Sequence, residues 1–245
     1  MQTRDSQLRG KVAIVTGAGR GIGRAIALAY ARQGAAVCCA ARSMGQVQET
    51  AAQICAEGGR AIAVCTDVAD FESVERMVRE AEEAFGGLDI VVINAGVGGA
   101  QQSVEASDQQ TWRTTIEVNL IGAYHCAKAA VPALKRRGGG KVIAVGSGLG
   151  QRGIAGVSDY ACSKAGLWML TRVLAQELAQ HGISVNQLIP GPVVTQMTGD
   201  QMARNTFEGE WAKSPEDVAP LALFLATQPE PGPTGQNFSL MRRDT

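Results

Sequence analysis

Lys11-Val12-Ala13-Ile14-Val15-Thr16-Gly17-Ala18-Gly19-Arg20-Gly21-Ile22-Gly23 is the stretch that decides the fold. Apolar and β-branched residues fill it up to Thr16, which reads as a strand covered on both faces. The glycines then pass directly into Arg24-Ala-Ile-Ala-Leu-Ala-Tyr30, whose apolar spacing predicts a helix. Glycine between a strand and a helix lets the backbone approach a pyrophosphate, because free amides and the positive helix end point at it. The spacing is Gly-x-x-x-Gly-x-Gly, not the Gly-x-Gly-x-x-Gly of the common dinucleotide fingerprint. A tight turn with packing glycines is the plainer alternative.

Outward from this unit, strand-like runs at 11–16, 36–41, 60–65, 88–93, 141–146 and 182–188 alternate with helical patterns at 21–33, 44–57, 70–84, 107–137, 158–180 and 215–226. Strands as continuously apolar as Ile90-Val-Val-Ile93 suit a parallel sheet with helices on both faces, so the fold class is doubly wound α/β. Gly34 and Gly182 follow predicted helices as left-handed stops, and Ser214-Pro215-Glu216-Asp217 carries a capping hydroxyl, a first-turn proline and two carboxylates. Gly138-Gly139-Gly140 reads as a connecting turn, so residues 1–245 are expected to form a single domain.

The 245 residues hold 23 basic and 23 acidic side chains, a formal net charge of zero, which offers no electrostatic footprint for nucleic acid or an anionic membrane. A small-molecule substrate is the expected partner. Apolar runs stop well short of the ~20 residues that span a bilayer. Met1-Gln-Thr-Arg-Asp-Ser6 has no apolar signal core, so a soluble, cytoplasmic protein is expected. Cys38, Cys39, Cys55, Cys65, Cys126 and Cys162 show no Cys-x-x-Cys spacing, and His125 and His181 are the only histidines. No metal site is expected, and the cysteines read as small hydrophobes in a reducing compartment.

Where many NAD-binding folds place an acid after the second strand, this chain has Arg42. A guanidinium cannot accept ribose hydroxyl protons but pairs with a 2′-phosphate, and Arg20 could join it on the same dianion, so NADP is favoured over NAD. Two solvated surface arginines are the alternative. Asp67-Val68, ending the third strand, is placed to touch an adenine or simply to cap a loop.

Tyr160 and Lys164 lie four apart on a predicted helix and share a face. A free phenol titrates near ~10, and an adjacent ammonium favours phenolate, so Tyr160 becomes a candidate acid/base. Asn94-Ala95-Gly96 ends the fourth strand, Asn119 lies in the next helix and Ser147 follows the fifth strand. Ligands of open α/β sheets bind outside the carboxyl ends of strands, where the glycine loop, Asn94 and Ser147 fall.

Taken together, Thr16-Gly-Ala-Gly-Arg-Gly-Ile-Gly23, Asn94-Ala-Gly96, Asn119, Ser147, Tyr160-x-x-x-Lys164 and Pro190-Gly191 with Thr195 resemble the short-chain dehydrogenase/reductase family from about Lys11 to Gly235. Its 3-oxoacyl-[acyl-carrier-protein] reductase branch is the nearest in likeness. The resemblance implies a Rossmann-type sheet of seven strands and a catalytic tetrad of Asn119, Ser147, Tyr160 and Lys164. Ser147 and Tyr160 would bond the substrate carbonyl oxygen while hydride passes from nicotinamide, and Tyr160 would donate the proton. Lys164 would also hold the nicotinamide ribose, and Asn119 a water relaying protons towards Lys164. Pro190, Gly191, Val193 and Thr195 would contact the nicotinamide, joining Gly17, Gly19, Arg20, Gly21, Ile22, Gly23, Arg42, Asp67, Val68, Asn94, Ala95 and Gly96 as cofactor residues.

The chain departs from the family at Ile93, where asparagine is usual, in the short substrate-covering segment at about 196–213, and in the tail Phe238-Ser-Leu-Met-Arg-Arg-Asp-Thr245. The expected function is an NADPH-dependent carbonyl reductase acting on a 3-oxoacyl thioester or similar ketone. Alternatives are an NAD-dependent secondary alcohol or sugar dehydrogenase and a nucleotide-sensing binding module. Arg136-Arg137 could serve an acidic carrier protein or be a solvated helix end. A homo-oligomer, dimer or tetramer, is expected through the two longest helices.

Overall fold

The computed structural model describes residues 6–199 and 211–241. Residues 200–210, within the expected substrate segment, and the tail residues 242–245 lie outside the described residues.

Each β-branched run becomes a strand: β1 (Val12–Thr16), β2 (Ala36–Ala41), β3 (Arg60–Cys65), β4 (Ile90–Ile93), β5 (Gly140–Val145) and β6 (Ile183–Ile189). A seventh, β7 (Asn237–Ser239), adds to the edge. All pair in parallel, in the order β3-β2-β1-β4-β5-β6-β7. The order reverses between β1 and β4, and a crevice opens at their carboxyl ends.

Alternate side chains of each strand enter two separate cores. Val12, Ile14, Val91 and Val185 pack under α3 (Phe71–Phe85), α5 (Gly122–Arg137) and α6 (Ser158–Leu178). Ala13, Val15, Val92 and Leu188 pack under α1 (Gly21–Arg32), α2 (Met44–Ala56) and α7 (Ala219–Ala226). Tyr30, fully buried, ties α1 to α7 by donating its hydroxyl to Ala222 O at 2.8 Å.

The expected helix 107–137 is not one regular element. α4 (Gln109–Ile116) runs into a π-helical segment, Glu117–Ile121, before α5, and Gly122 N–H reaches back five residues to Glu117 O. The extra residue in the turn leaves apolar spacing nearly intact, so periodicity does not reveal it. Similarly, Pro215–Asp217 is a 3-10 turn preceding α7, closed by the anticipated cap: Ser214 N–H and Oγ both donate to Asp217. Gly34 and Gly182 take the left-handed backbone expected, at φ +89 and +66°.

Cysteine burial departs from expectation. Cys38, Cys39 and Cys126 are buried, and burial pushes the Cys39 and Cys126 thiols up to about 12, but Cys55, Cys65 and Cys162 are exposed. Among the described residues, no helix is long and apolar enough to cross a membrane, and no three His, Cys, Asp or Glu side chains gather as ligands.

Candidate active site

Thr16, at the end of β1, organises the crevice floor. Its buried hydroxyl accepts from the backbone N–H groups of Asn94 (2.9 Å) and Ala95 (3.1 Å) while donating to Val92 O at 3.2 Å. Asn94 returns the contact, its side-chain amide donating to Thr16 O at 2.8 Å. A Cβ on Gly17 would lie 2.7 Å from that amide, and one on Gly23 only 2.3 Å from Gly17 O. Both positions therefore require glycine for the strand-to-helix approach. From outside, Thr50 of α2 donates to Ala18 O at 3.0 Å and steadies the loop.

A crevice of about 1150 Å³ runs from this loop to the start of α6. Gly17, Gly19, Arg20, Gly21, Ile22, Arg42, Asp67, Val68, Asn94, Ala95, Gly96, Pro190, Gly191, Val193 and Thr195 all line it, as do Ser147 and Tyr160. Gly23, Asn119 and Lys164 stand behind its walls, with Asn119 and Lys164 1% and 5% exposed. The length of the crevice, the glycine cradle and the helix α1 N-terminus beneath it fit a dinucleotide.

Arg20 and Arg42, the two arginines expected at one phosphate, both line the crevice. Arg42 is exposed in the crevice wall beside Ser43 and Gln46. Arg20 instead donates to the Gln196 side chain at 2.6 Å, joining the glycine loop to the segment after β6. Asp67 faces the crevice and also caps its own loop, accepting from Ala69 N–H at 3.0 Å. Val68 O is 2.9 Å from His125 Nδ1. Thr195 lies in a turn in which its N–H donates to Thr198 Oγ1 at 2.9 Å. Arg136 and Arg137 are engaged by Glu82 and Asp89, which explains their pairing at a helix end without a carrier protein.

At the opposite end, Ser147 and Tyr160 both line the crevice, and the Ser147 side chain acts on the Tyr160 phenol. Ser147 follows β5 and also accepts from Leu149 N–H at 3.2 Å. Burial raises the Tyr160 phenol above its ordinary value, and the Ser147 side chain opposes that shift without cancelling it. The expected acidification of Tyr160 beside Lys164 is therefore not the net result: burial outweighs it. The Lys164 ammonium sits 5.6 Å from the centre of the Tyr160 ring and donates to Val145 O at 3.0 Å. Burial instead lowers Lys164 itself, to about 8. The site therefore presents a protonated phenol at neutral pH, suited to giving a proton away.

Asn119 occupies the π segment with its side chain fully engaged. Its Oδ1 accepts from Val97 N–H at 2.8 Å, and its Nδ2 donates to Val97 O at 3.0 Å and Ser163 Oγ at 3.1 Å. Sequence reasoning passed over Thr16, Asp159 and the wall residues Leu149 and Ile154–Val157. Only Thr16 carried a signal, as the last residue of a strand before the glycines.

Residues 11–206 match the short chain dehydrogenase family model. The chain is 35% identical over 239 residues to a 3-oxoacyl-[acyl-carrier-protein] reductase of Synechocystis sp., covering 95% of this chain and 96% of that one. Among solved structures, a short-chain type dehydrogenase/reductase from Mycobacterium marinum superposes with a TM-score of 0.89 at 33% identity, covering 96% and 95% of the two chains. A provisionally named NAD(P)-dependent gluconate 5-dehydrogenase from Beutenbergia cavernae, with NADP bound at low occupancy, gives 0.86 at 36% identity, covering 96% of each.

Proposed function

This chain belongs to the short-chain dehydrogenase family and is an NAD(P)-dependent oxidoreductase, and we propose that within the family it is an NADPH-dependent carbonyl reductase whose substrate is a 3-oxoacyl thioester or a similar uncharged ketone. The observation that carries this reading is the Ser147–Tyr160 hydroxyl pair opening on the crevice with its phenol kept protonated.

The glycine loop amides and the α1 N-terminus would hold the pyrophosphate, Arg42 the 2′-phosphate, and Pro190 to Thr195 the nicotinamide end. A reduced nicotinamide bound there supplies the hydride. Ser147 and Tyr160 orient the carbonyl oxygen between their hydroxyls, and Tyr160 gives it the proton as negative charge grows. Lys164, beneath Tyr160, holds positive charge that favours the phenolate left behind. Asn119 fixes Val97 and Ser163, and through them the loop and helix that carry the site.

Arg42 supports NADPH over NADH, and an arginine cannot replace the ribose-binding acid of NAD-dependent relatives. Exposed Tyr124, Met169 and Val173 on α5 and α6 support a homo-oligomer. We read the chain as a single domain, and free surface thiols at Cys55, Cys65 and Cys162 suit the cytoplasm.

Purified protein is incubated with NADPH and a panel of 3-oxoacyl thioesters and small ketones while nicotinamide absorbance is followed. Turnover of at least one uncharged ketone is expected. Turnover confined to alcohols with NAD, or absent throughout, removes the proposal.

A further inference from the structure

Asp159, immediately before Tyr160, is 3% exposed and sits behind the crevice wall. Its Oδ1 accepts from Tyr160 N–H at 2.7 Å. Its Oδ2 accepts from Ala100 N–H at 2.9 Å and from the Thr115 hydroxyl at 3.1 Å. Gly99, at φ +72°, wraps the carboxylate so closely that a Cβ there would lie 2.5 Å from Oδ2. One buried side chain therefore joins the loop after β4, the last turns of α4 and the start of α6.

That loop has two independent fastenings. Nearer β4, Thr16 holds Asn94 and Ala95, and Asn119 holds Val97. Farther out, Asp159 holds Ala100, after which Gln102 N–H donates to Gly156 O at 2.9 Å and Gln102 pairs with Val157. The first fastening serves the cofactor end. The second shapes the wall on the Tyr160 side, where Gly98, Gln101, Leu149, Ile154, Val157 and Met197 line the crevice without a charged side chain.

We propose that Asp159 is a positioning residue that sets substrate selectivity: by fastening Ala100 to α6 it shapes a wall for the uncharged, apolar group attached to the reacting carbonyl. The selectivity rests on the carbonyl reductase reading, whereas the fastening itself does not. Removing the carboxylate leaves the half-buried N–H groups of Ala100 and Tyr160 without their acceptor, which frees the wall to shift. Asparagine cannot restore both bonds, because one of its two terminal atoms is a donor facing a donor.

Asp159→Ala, Asp159→Asn and Thr115→Val are compared with wild type using NADPH and 3-oxoacyl thioesters of increasing chain length. NADPH affinity and kcat for the shortest substrate are expected to stay within about threefold, while KM for the longest rises about tenfold or more in Asp159→Ala. Asp159→Asn falls between, and Thr115→Val shifts KM in the same direction by less. A loss equal at every chain length, or a fall in NADPH affinity that parallels it, overturns the proposal. Amide hydrogen exchange gives the readout that needs no turnover: residues 98–102 should exchange faster in Asp159→Asn and Thr115→Val while 94–96 keep wild-type protection. Unchanged exchange at 98–102 overturns the fastening. A wild type that reduces no ketone but shows the exchange pattern removes the carbonyl reductase reading and leaves the fastening standing.

Discussion

Lys164 Nζ donates to Val145 O at 3.0 Å, so the cation under the Tyr160 ring is anchored to the strand that delivers Ser147. Burial lowers this lysine to about 8, whereas the Tyr160 phenol is raised. As pH rises, the cation is therefore lost before the phenol ionises. Reduction should lose kcat/KM along an alkaline limb with its inflection near about 8, and Lys164→Arg, charged throughout, should lack that inflection. A wild-type profile flat to pH ~10 would exclude Lys164 as the titrating group. The stability sign is the reverse. Between about 8 and the ordinary lysine value near ~10.4 the unfolded chain binds the extra proton, so this group makes the fold more stable as pH rises.

Arg42 lines the crevice with its guanidinium exposed, whereas Arg20 spends one donor on Gln196 at 2.6 Å. Arg42→Ala should lower the NADPH-to-NADH ratio of kcat/KM by about tenfold or more, and Arg20→Ala by clearly less. The ratios come from steady-state kinetics with both cofactors. Equal effects of the two variants would place both guanidinium groups on the phosphate.

The strand-helix alternation and the glycine loop were legible because period and turn chemistry are local properties of the chain. Motif positions at strand ends, such as Asn94 and Ser147, were legible in the same way, and they line the crevice. Relationships set by tertiary packing were not. In the π segment, the Asn119 amide pairs with the Val97 backbone 22 residues away, which no periodicity encodes. Asp159 read as an ordinary first-turn acid because its partners Ala100 and Thr115 are remote in sequence. The phenol was expected to be acidified by a neighbour one turn away, but desolvation, a property of the whole fold, dominates.

Thr16 offers a test of the crevice floor. Its 1% exposed hydroxyl satisfies two backbone N–H groups, and Thr16→Val keeps the shape while removing the acceptor. Thermal or chemical denaturation should show a loss of about 1–3 kcal/mol, with weakened cofactor binding. A change below about 0.5 kcal/mol would mean that Asn94 and Ala95 find other acceptors.

The proton-donating role of Tyr160 is tested most directly by single-turnover hydride transfer in Tyr160→Phe, which keeps the ring and removes the hydroxyl. NADPH should still bind, with the transfer rate to an uncharged ketone reduced by about a thousandfold or more. A rate within about tenfold of wild type, with the ketone bound normally, would contradict the assignment of Tyr160 as the acid.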